Sequence, residues 1–161
     1  MQTLNQIPSA PGTYVLILKL QEKQRLLIGK LGEHEFPEGT YAYVGSAQGP
    51  GGLASRLKRH LNFSRSKPPH WHIDHLNHRA EVIQIWWQEG SPSRECGWAK
   101  TLSSIGERLI PNFGSSDCRC PGHLIWFPPS RKFAWSEYME ALGSNLSNMV
   151  ILPQSKHTLA R

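Results

Sequence analysis

The run from Tyr41 to His60, YAYVGSAQGPGGLASRLKRH, passes from a short aromatic strand through a glycine-rich turn into a helix. Gly45, Gly49, Gly51 and Gly52 loosen the chain between the two elements. In the helix, expected from Leu53 to Asn62, Leu53, Leu57 and Leu61 share one row with Ala54 beside them, the spacing of a helix laid on a core. Arg56 and His60 sit one turn apart on a neighbouring face, and Lys58 and Arg59 point further outward. A strand that delivers the chain straight into an amphipathic helix calls for a mixed arrangement of sheet and helices.

The flanking segments extend that arrangement. Tyr14 to Leu18 reads YVLIL, a buried strand. Arg25 to Lys30 and Glu33 to Phe36 form a hairpin turning near Gly32, and Thr40 to Val44 follows the Pro37-Glu38-Gly39 turn as the next strand. His70 to His78 reads as a short helix around Ile73 and Leu76, and Val82 to Trp87 as a strand. Ser91-Pro92 opens a helix with Ser as N-cap and Pro at the first helical position, running to Ile105. Asn112 to Gly122 is an irregular loop, His123 to Phe127 a last strand, and Glu137 to Leu142 one or two turns of helix. The order β-(β-β)-β-α-α-β-α-β lacks the regular alternation of a doubly wound fold. It predicts a small α/β (α+β) sandwich, a mainly antiparallel central sheet flanked by helices. With 161 residues, one domain is expected over 1–143, and 144–161 as a C-terminal tail in which Met149 to Leu152 is a docked segment.

Charge narrows the class of partner. Lys and Arg number 18 against 12 Asp and Glu, and the excess is local: no acid falls between Glu38 and Asp74. Arg56, Lys58, Arg59, Arg65 and Lys67 all lie in that span, so a polyanion is expected as partner, nucleic acid first, with DNA and RNA undistinguished by the charge. No apolar run approaches the length of a membrane span, and the opening MQTLNQIPSAPG shows neither the basic nor the apolar region of a signal peptide. With three cysteines, an odd number, a reducing cytoplasmic setting is the simpler expectation.

Several side chains stand out as chemistry. Glu95 begins the stripe of Trp98, Ala99, Leu102 and Ile105, where an ionised carboxylate needs a cation or donors. A Mg²⁺ ion, which takes one or two protein carboxylates and keeps several waters, is one such cation. The plain alternative is a first-turn acid favoured by the helix dipole. Arg56 beside the leucine row can grip a phosphate with two parallel hydrogen bonds, or form part of a solvated basic face. His60 is either a proton carrier or a surface histidine. Tyr14 and Tyr43 lie on strands expected to pair, as bases made acidic by a neighbouring cation or as core aromatics anchored by their hydroxyls.

Gly12-Thr13-Tyr14, then Tyr43-Val44-Gly45, Arg56 in the next helix and Glu95 in a later one together resemble the GIY-YIG nuclease superfamily. Two tripeptides, an arginine and a glutamate in this order are far more specific than either tripeptide alone. The resemblance covers residues 10 to 127. The strings YVGSAQGPGGLASRLKRHL, HWHIDHL and FGSSDCRCPGHL look like a subfamily of small stand-alone domains, also seen joined to endonuclease III-type repair glycosylases.

The resemblance implies a metal-dependent DNA endonuclease. Its two tyrosines fall on Tyr14 and Tyr43, its arginine on Arg56, its metal glutamate on Glu95, and a histidine found in some members on His60. An active-site asparagine of some members falls on Asn112. Mg²⁺ or Mn²⁺ on Glu95 is implied to stabilise the leaving oxygen, and Arg56 to neutralise charge on the pentacovalent transition state. Tyr43, or alternatively Tyr14, is implied to deprotonate an in-line water. Two departures stand out: Gln21 to Glu38 looks like an inserted hairpin, and Ser46 stands where many repair-type members carry a lysine. His60 and Lys58 are the candidates to replace that lysine.

Two further clusters are candidate metal sites. His70, His72, Asp74, His75 and His78 crowd one short run, in which His72 and His75 can share a helix face; the alternative is a wet surface facing nucleic acid. Cys118, Cys120 and His123 can supply two or three zinc ligands, with a distant fourth such as His70 or His72, or they are buried thiols in a tight loop. Three functions follow: a DNA endonuclease of repair, recombination or defence; a non-catalytic nucleic-acid-binding module of the same fold; and a zinc-stabilised interaction domain.

Overall fold

The computed structural model describes residues 2–62, 67–115, 118–131, 135–143 and 148–153. Its centre is β1 (Gly12–Leu20), buried along almost its whole length. A strand with two apolar faces must be covered on both sides, and the alternation of β1 shows how. Tyr14, Leu16, Leu18 and Leu20 enter one core cluster, while Val15 and Ile17 enter another.

The strands after β1 are β2 (Gln24–Leu27), β3 (Glu33–Phe36), β4 (Gly39–Ala47), β5 (Glu81–Glu89), β6 (Leu124–Phe127) and β7 (Asn148–Ile151). Five of them form one sheet in the order β6-β4-β1-β5-β7, every neighbouring pair antiparallel. The fold is therefore the expected mixed α+β arrangement on an antiparallel sheet. The insertion is also where it was expected: β2 and β3 form a separate two-stranded sheet between β1 and β4.

The helices are α1 (Gly52–Leu61), α2 (His72–Asn77), α3 (Glu95–Ser103) and α4 (Trp135–Leu142). Leu53 and Leu57 of α1, Ile73 and Leu76 of α2, and Phe36 of the inserted hairpin cover the Tyr14 face. Trp98, Ala99 and Leu102 of α3 and Tyr138, Met139 and Leu142 of α4 cover the Val15 face, around a fully buried Trp86. Each such buried side chain contributes roughly 1.5–3 kcal/mol, so both helical layers are fastened by apolar area.

Two boundaries differ from expectation. The third helix begins at Glu95 and not at Pro92; the Arg94 N–H is taken by Thr13 Oγ1 (2.8 Å) and the Glu95 N–H by Ser93 Oγ (3.2 Å). At the other end the sheet continues past residue 143. The docked segment expected at 149–152 is β7, which pairs with β5 from Gln84↔Ile151 to Trp87↔Asn148 and contributes Val150 to the core. Among the described residues no helix is long and apolar enough to cross a membrane.

Candidate active site and thiol–imidazole cluster

β1 and β4 pair with Tyr14 opposite Gly45 and Leu16 opposite Tyr43, so the two tyrosines lie one step apart on the same face. The glycine is what lets them meet. A Cβ at Gly45 would lie 2.3–2.7 Å from atoms of the Tyr14 ring, which therefore rests against bare backbone.

α1 crosses that face and brings His60 against it. His60 is 1 % exposed, and its Nε2 lies 2.7 Å from the Tyr14 hydroxyl. The surface alternative for His60 is thus excluded. One turn earlier, Arg56 is half-buried, its guanidinium 4.3 Å from the centre of the Trp71 ring.

Glu95 arrives from the opposite layer. The hydrogen bond from Arg94 N–H to Thr13 Oγ1 pins the start of α3 to the middle residue of the Gly12-Thr13-Tyr14 tripeptide, while Trp98, Ala99 and Leu102 seat the rest of the helix. Glu95 is therefore delivered to the end of the sheet, its side chain 22 % exposed. Tyr14, Tyr43, Arg56 and Glu95 line one cleft, together with Ser46, His70, Trp71 and His72. Among the described residues Glu95 is the one carboxylate on its wall, which suits a cation that keeps most of its waters.

Burial dominates the electrostatics. It raises the pKa of both tyrosines well above the ordinary phenol value, aided by each other's proximity at Tyr14 and by the Glu95 charge at both; Arg56 works in the opposite sense. Both phenols are protonated at neutral pH. Burial, with help from the Arg59 and Arg56 charges, lowers the pKa of His60 to about 3. A neutral imidazole beside a protonated phenol accepts its proton, so Tyr14 donates to His60 Nε2.

The His60 shift has a measurable consequence. Folded His60 stays neutral down to about pH 3, while the unfolded residue takes up a proton below about pH 6.5. Its contribution leaves stability unaffected above that value and lowers it steadily from there toward pH 3, by up to about 1.4 kcal/mol per pH unit. In urea titrations, the stability of His60→Asn is expected to decline less steeply than that of the wild type between about pH 6 and pH 4. Equal slopes would show that His60 titrates as an exposed histidine does.

The basic residues separate into two groups. Lys58 and Lys67 are exposed and line a second groove with Ser55, Asn62 and Pro68, a groove that the partly exposed Arg59 also borders. Arg59 does not point outward as expected. Its guanidinium donates to both oxygens of the fully buried Asp74 (3.0 and 2.9 Å) and lies 3.7 Å from the Trp71 ring centre, because Asp74 needs a cation where it is buried. Arg65 lies outside the described residues. Asn112 is exposed, in a left-handed conformation (φ 65°), and is not part of the cleft wall.

The histidine-rich run does not gather ligands. Asp74 is occupied by Arg59 and by the N–H groups of His70 and Trp71, and His72 Nδ1 accepts the N–H of Gly114. Among the described residues, the one group of three or more potential metal ligands is Cys96, Cys118, Cys120 and His123, all four ligand atoms within 4.8 Å of one another. Cys96 is the member that sequence reasoning missed, and it replaces His70 and His72 as the distant fourth. The Cys96 and Cys120 sulfurs are in disulfide contact, and Cys118 is a free thiol. His123 is fully buried, and burial lowers its pKa. Its Nδ1 lies 3.4 Å from Glu95 Oε1, so the cluster abuts the cleft.

Comparison with known proteins returned no match among curated proteins and none among solved structures. A family model matches residues 13–144, the segment that carries both tyrosines, Arg56, Glu95 and the thiol–imidazole cluster, and the chain belongs to that family, the domain of unknown function DUF123.

Proposed function

We propose that this chain is a metal-dependent endonuclease that hydrolyses phosphodiester bonds in DNA. The observation that carries the reading is the convergence of Tyr14, Tyr43, Arg56 and Glu95, from four different elements, on one cleft beside a lysine-bearing groove. Glu95 holds Mg²⁺ or Mn²⁺ in this reading, and the ion, when bound, supplies charge stabilisation at a phosphate oxygen.

Each residue then has a task. Arg56, steadied over Trp71, binds the scissile phosphate and offsets charge as it grows in the transition state. The Tyr14–His60 hydrogen bond favours Tyr14 over the expected Tyr43 as the base in this reading. With its proton directed at His60, Tyr14 turns its oxygen lone pairs to the cleft, where they accept a hydrogen bond from the attacking water. As the water attacks phosphorus, its proton passes to the Tyr14 oxygen and the phenol proton to His60 Nε2. Burial, the larger cause of the low His60 pKa, opposes that transfer, and an anionic phosphate in the cleft offsets only the smaller contribution of the Arg59 and Arg56 charges. Tyr43 contributes a second hydroxyl to the same wall. Ser46 brings a buried hydroxyl with no partner to the position where a lysine is absent.

A binding module with the same fold is the second reading, favoured by that serine. It is separated by incubating the protein with supercoiled, branched and single-stranded DNA, and with RNA, in Mg²⁺, Mn²⁺ or EDTA. Cutting of DNA that EDTA stops is the expected result. Salt-sensitive binding without cutting under any metal would establish the module instead. A cytoplasmic role in DNA repair, recombination or defence belongs to the same proposal.

A further inference from the structure

Cys96 comes from the first turn of α3, whereas Cys118, Cys120 and His123 come from the loop that leads into β6. That loop is held by its backbone: His123 N–H donates to Phe113 C=O, Val44 N–H to His123 C=O, and Asn112 N–H to Pro121 C=O. His123 is presented from a fixed, fully buried position, with Nε2 toward the thiols and Nδ1 toward Glu95.

Zinc bound tetrahedrally, at about 2.3 Å from sulfur and about 2.0 Å from nitrogen, requires sulfur–nitrogen edges of about 3.5 Å and sulfur–sulfur edges of about 3.8 Å. His123 Nε2 lies 3.4 Å from Cys118 Sγ and 3.8 Å from Cys96 Sγ. Both sulfur–nitrogen separations are close to the edge of such a tetrahedron. The second nitrogen of a zinc-bound histidine characteristically faces a carboxylate or carbonyl, and here it faces Glu95 Oε1 at 3.4 Å.

We infer that Cys96, Cys118, Cys120 and His123 form a closed, four-coordinate structural zinc site that ties the first turn of α3 to the loop before β6. The competing arrangement is a Cys96–Cys120 disulfide, which uses two of the four groups and leaves Cys118 in a hydrogen bond with His123 Nε2. In the zinc form all three thiols are reduced and deprotonated, and each contributes one bond to the metal. The site stands independently of the endonuclease reading. Only its consequence rests on that reading: the zinc site fixes the residue next to Cys96, and that residue is Glu95.

The test is made on the full chain without nucleic acid, so its failure is distinct from failure to cut DNA. Protein purified under reducing, low-oxygen conditions is expected to contain about one zinc per chain. Titrating the metal-free protein with Co²⁺ should give thiolate-to-cobalt charge transfer and the intense visible bands of a tetrahedral ion. Cys118→Ser should weaken zinc binding by more than the roughly 10–100-fold that loss of an outer hydrogen-bond partner costs. If that variant does not fold, the Co²⁺ spectrum of the wild type decides. Zinc well below one equivalent with no tetrahedral cobalt spectrum would overturn the inference. So would a Cys96–Cys120-linked peptide in digests of the reduced preparation, or a Cys118→Ser protein with unaltered zinc content.

Discussion

Glu95→Gln is expected to lower DNA cleavage by about 10³-fold or more, a loss of roughly 4 kcal/mol of transition-state stabilisation, while binding is unchanged or slightly tighter. The substitution keeps the shape of the side chain and removes the charge that would hold Mg²⁺ or Mn²⁺. Among the described residues nothing else in the cleft wall takes over, because Glu95 is their one carboxylate there. Metal-free binding is spared because affinity for DNA then comes from Lys and Arg, and removing an anion beside a polyanion does not weaken it. Arg56→Ala behaves differently: it loses a phosphate contact, so cleavage and affinity fall together and the salt dependence of binding becomes shallower. The measurement is single-turnover cleavage with the dissociation constant determined in parallel in EDTA. The start of α3 survives in Glu95→Gln, since Thr13 Oγ1, Ser93 Oγ and the Trp98-Ala99-Leu102 face hold it. A Glu95→Gln protein that cuts at the wild-type rate would remove Glu95 from the mechanism.

What could be read from the sequence divides by range. The apolar run at Tyr14 and the leucine row of the helix after Gly52 are local signals, and β1 and α1 lie within a few residues of where they place them. The inserted hairpin was equally legible, because turn residues mark both its ends. Side-chain partnerships across elements were not. Periodicity puts His60 next to the buried row of α1 but does not reveal that Tyr14 waits beneath it. Arg59 reads as an outward cation until α2 supplies a buried carboxylate, a contact 15 residues away in sequence. Cys96 gave no local signal, since the thiols it meets are separated from it by the rest of α3 and a long loop. The same limit displaced the start of α3: Ser91-Pro92 is a good opening locally, but the backbone N–H groups at Arg94 and Glu95 are claimed by Thr13 and Ser93.

Asp74→Ala is expected to destabilise the fold by roughly 3–5 kcal/mol, a fall in Tm of about 10 °C. Asp74 is fully buried and accepts four hydrogen bonds: two from Arg59 and one each from the N–H groups of His70 (2.9 Å) and Trp71 (2.8 Å). Removing it leaves two N–H groups at the start of α2 and a half-buried guanidinium without their acceptor. Burial acts to raise the pKa of Asp74, but the hydrogen bonds from Arg59, Trp71 and His70 outweigh it and hold the carboxyl below its ordinary value. The stabilisation is therefore complete above about pH 4 and disappears as the pH falls below that, through the folded-state pKa. The gap between wild type and Asp74→Ala should stay constant from neutral pH to about pH 5 and close in stronger acid. Asp74 raises the His60 pKa, so its loss lowers that pKa further, a change that enters the difference only in strong acid, where folded His60 begins to protonate. A gap under about 1 kcal/mol at neutral pH would place the Arg59–Asp74 contact among ordinary surface ion pairs. A large gap carries a consequence for the cleft: Trp71, which lies against both Arg56 and Arg59, is held in place from Asp74, so the arginine that is to meet the phosphate is positioned by an acid that never touches it.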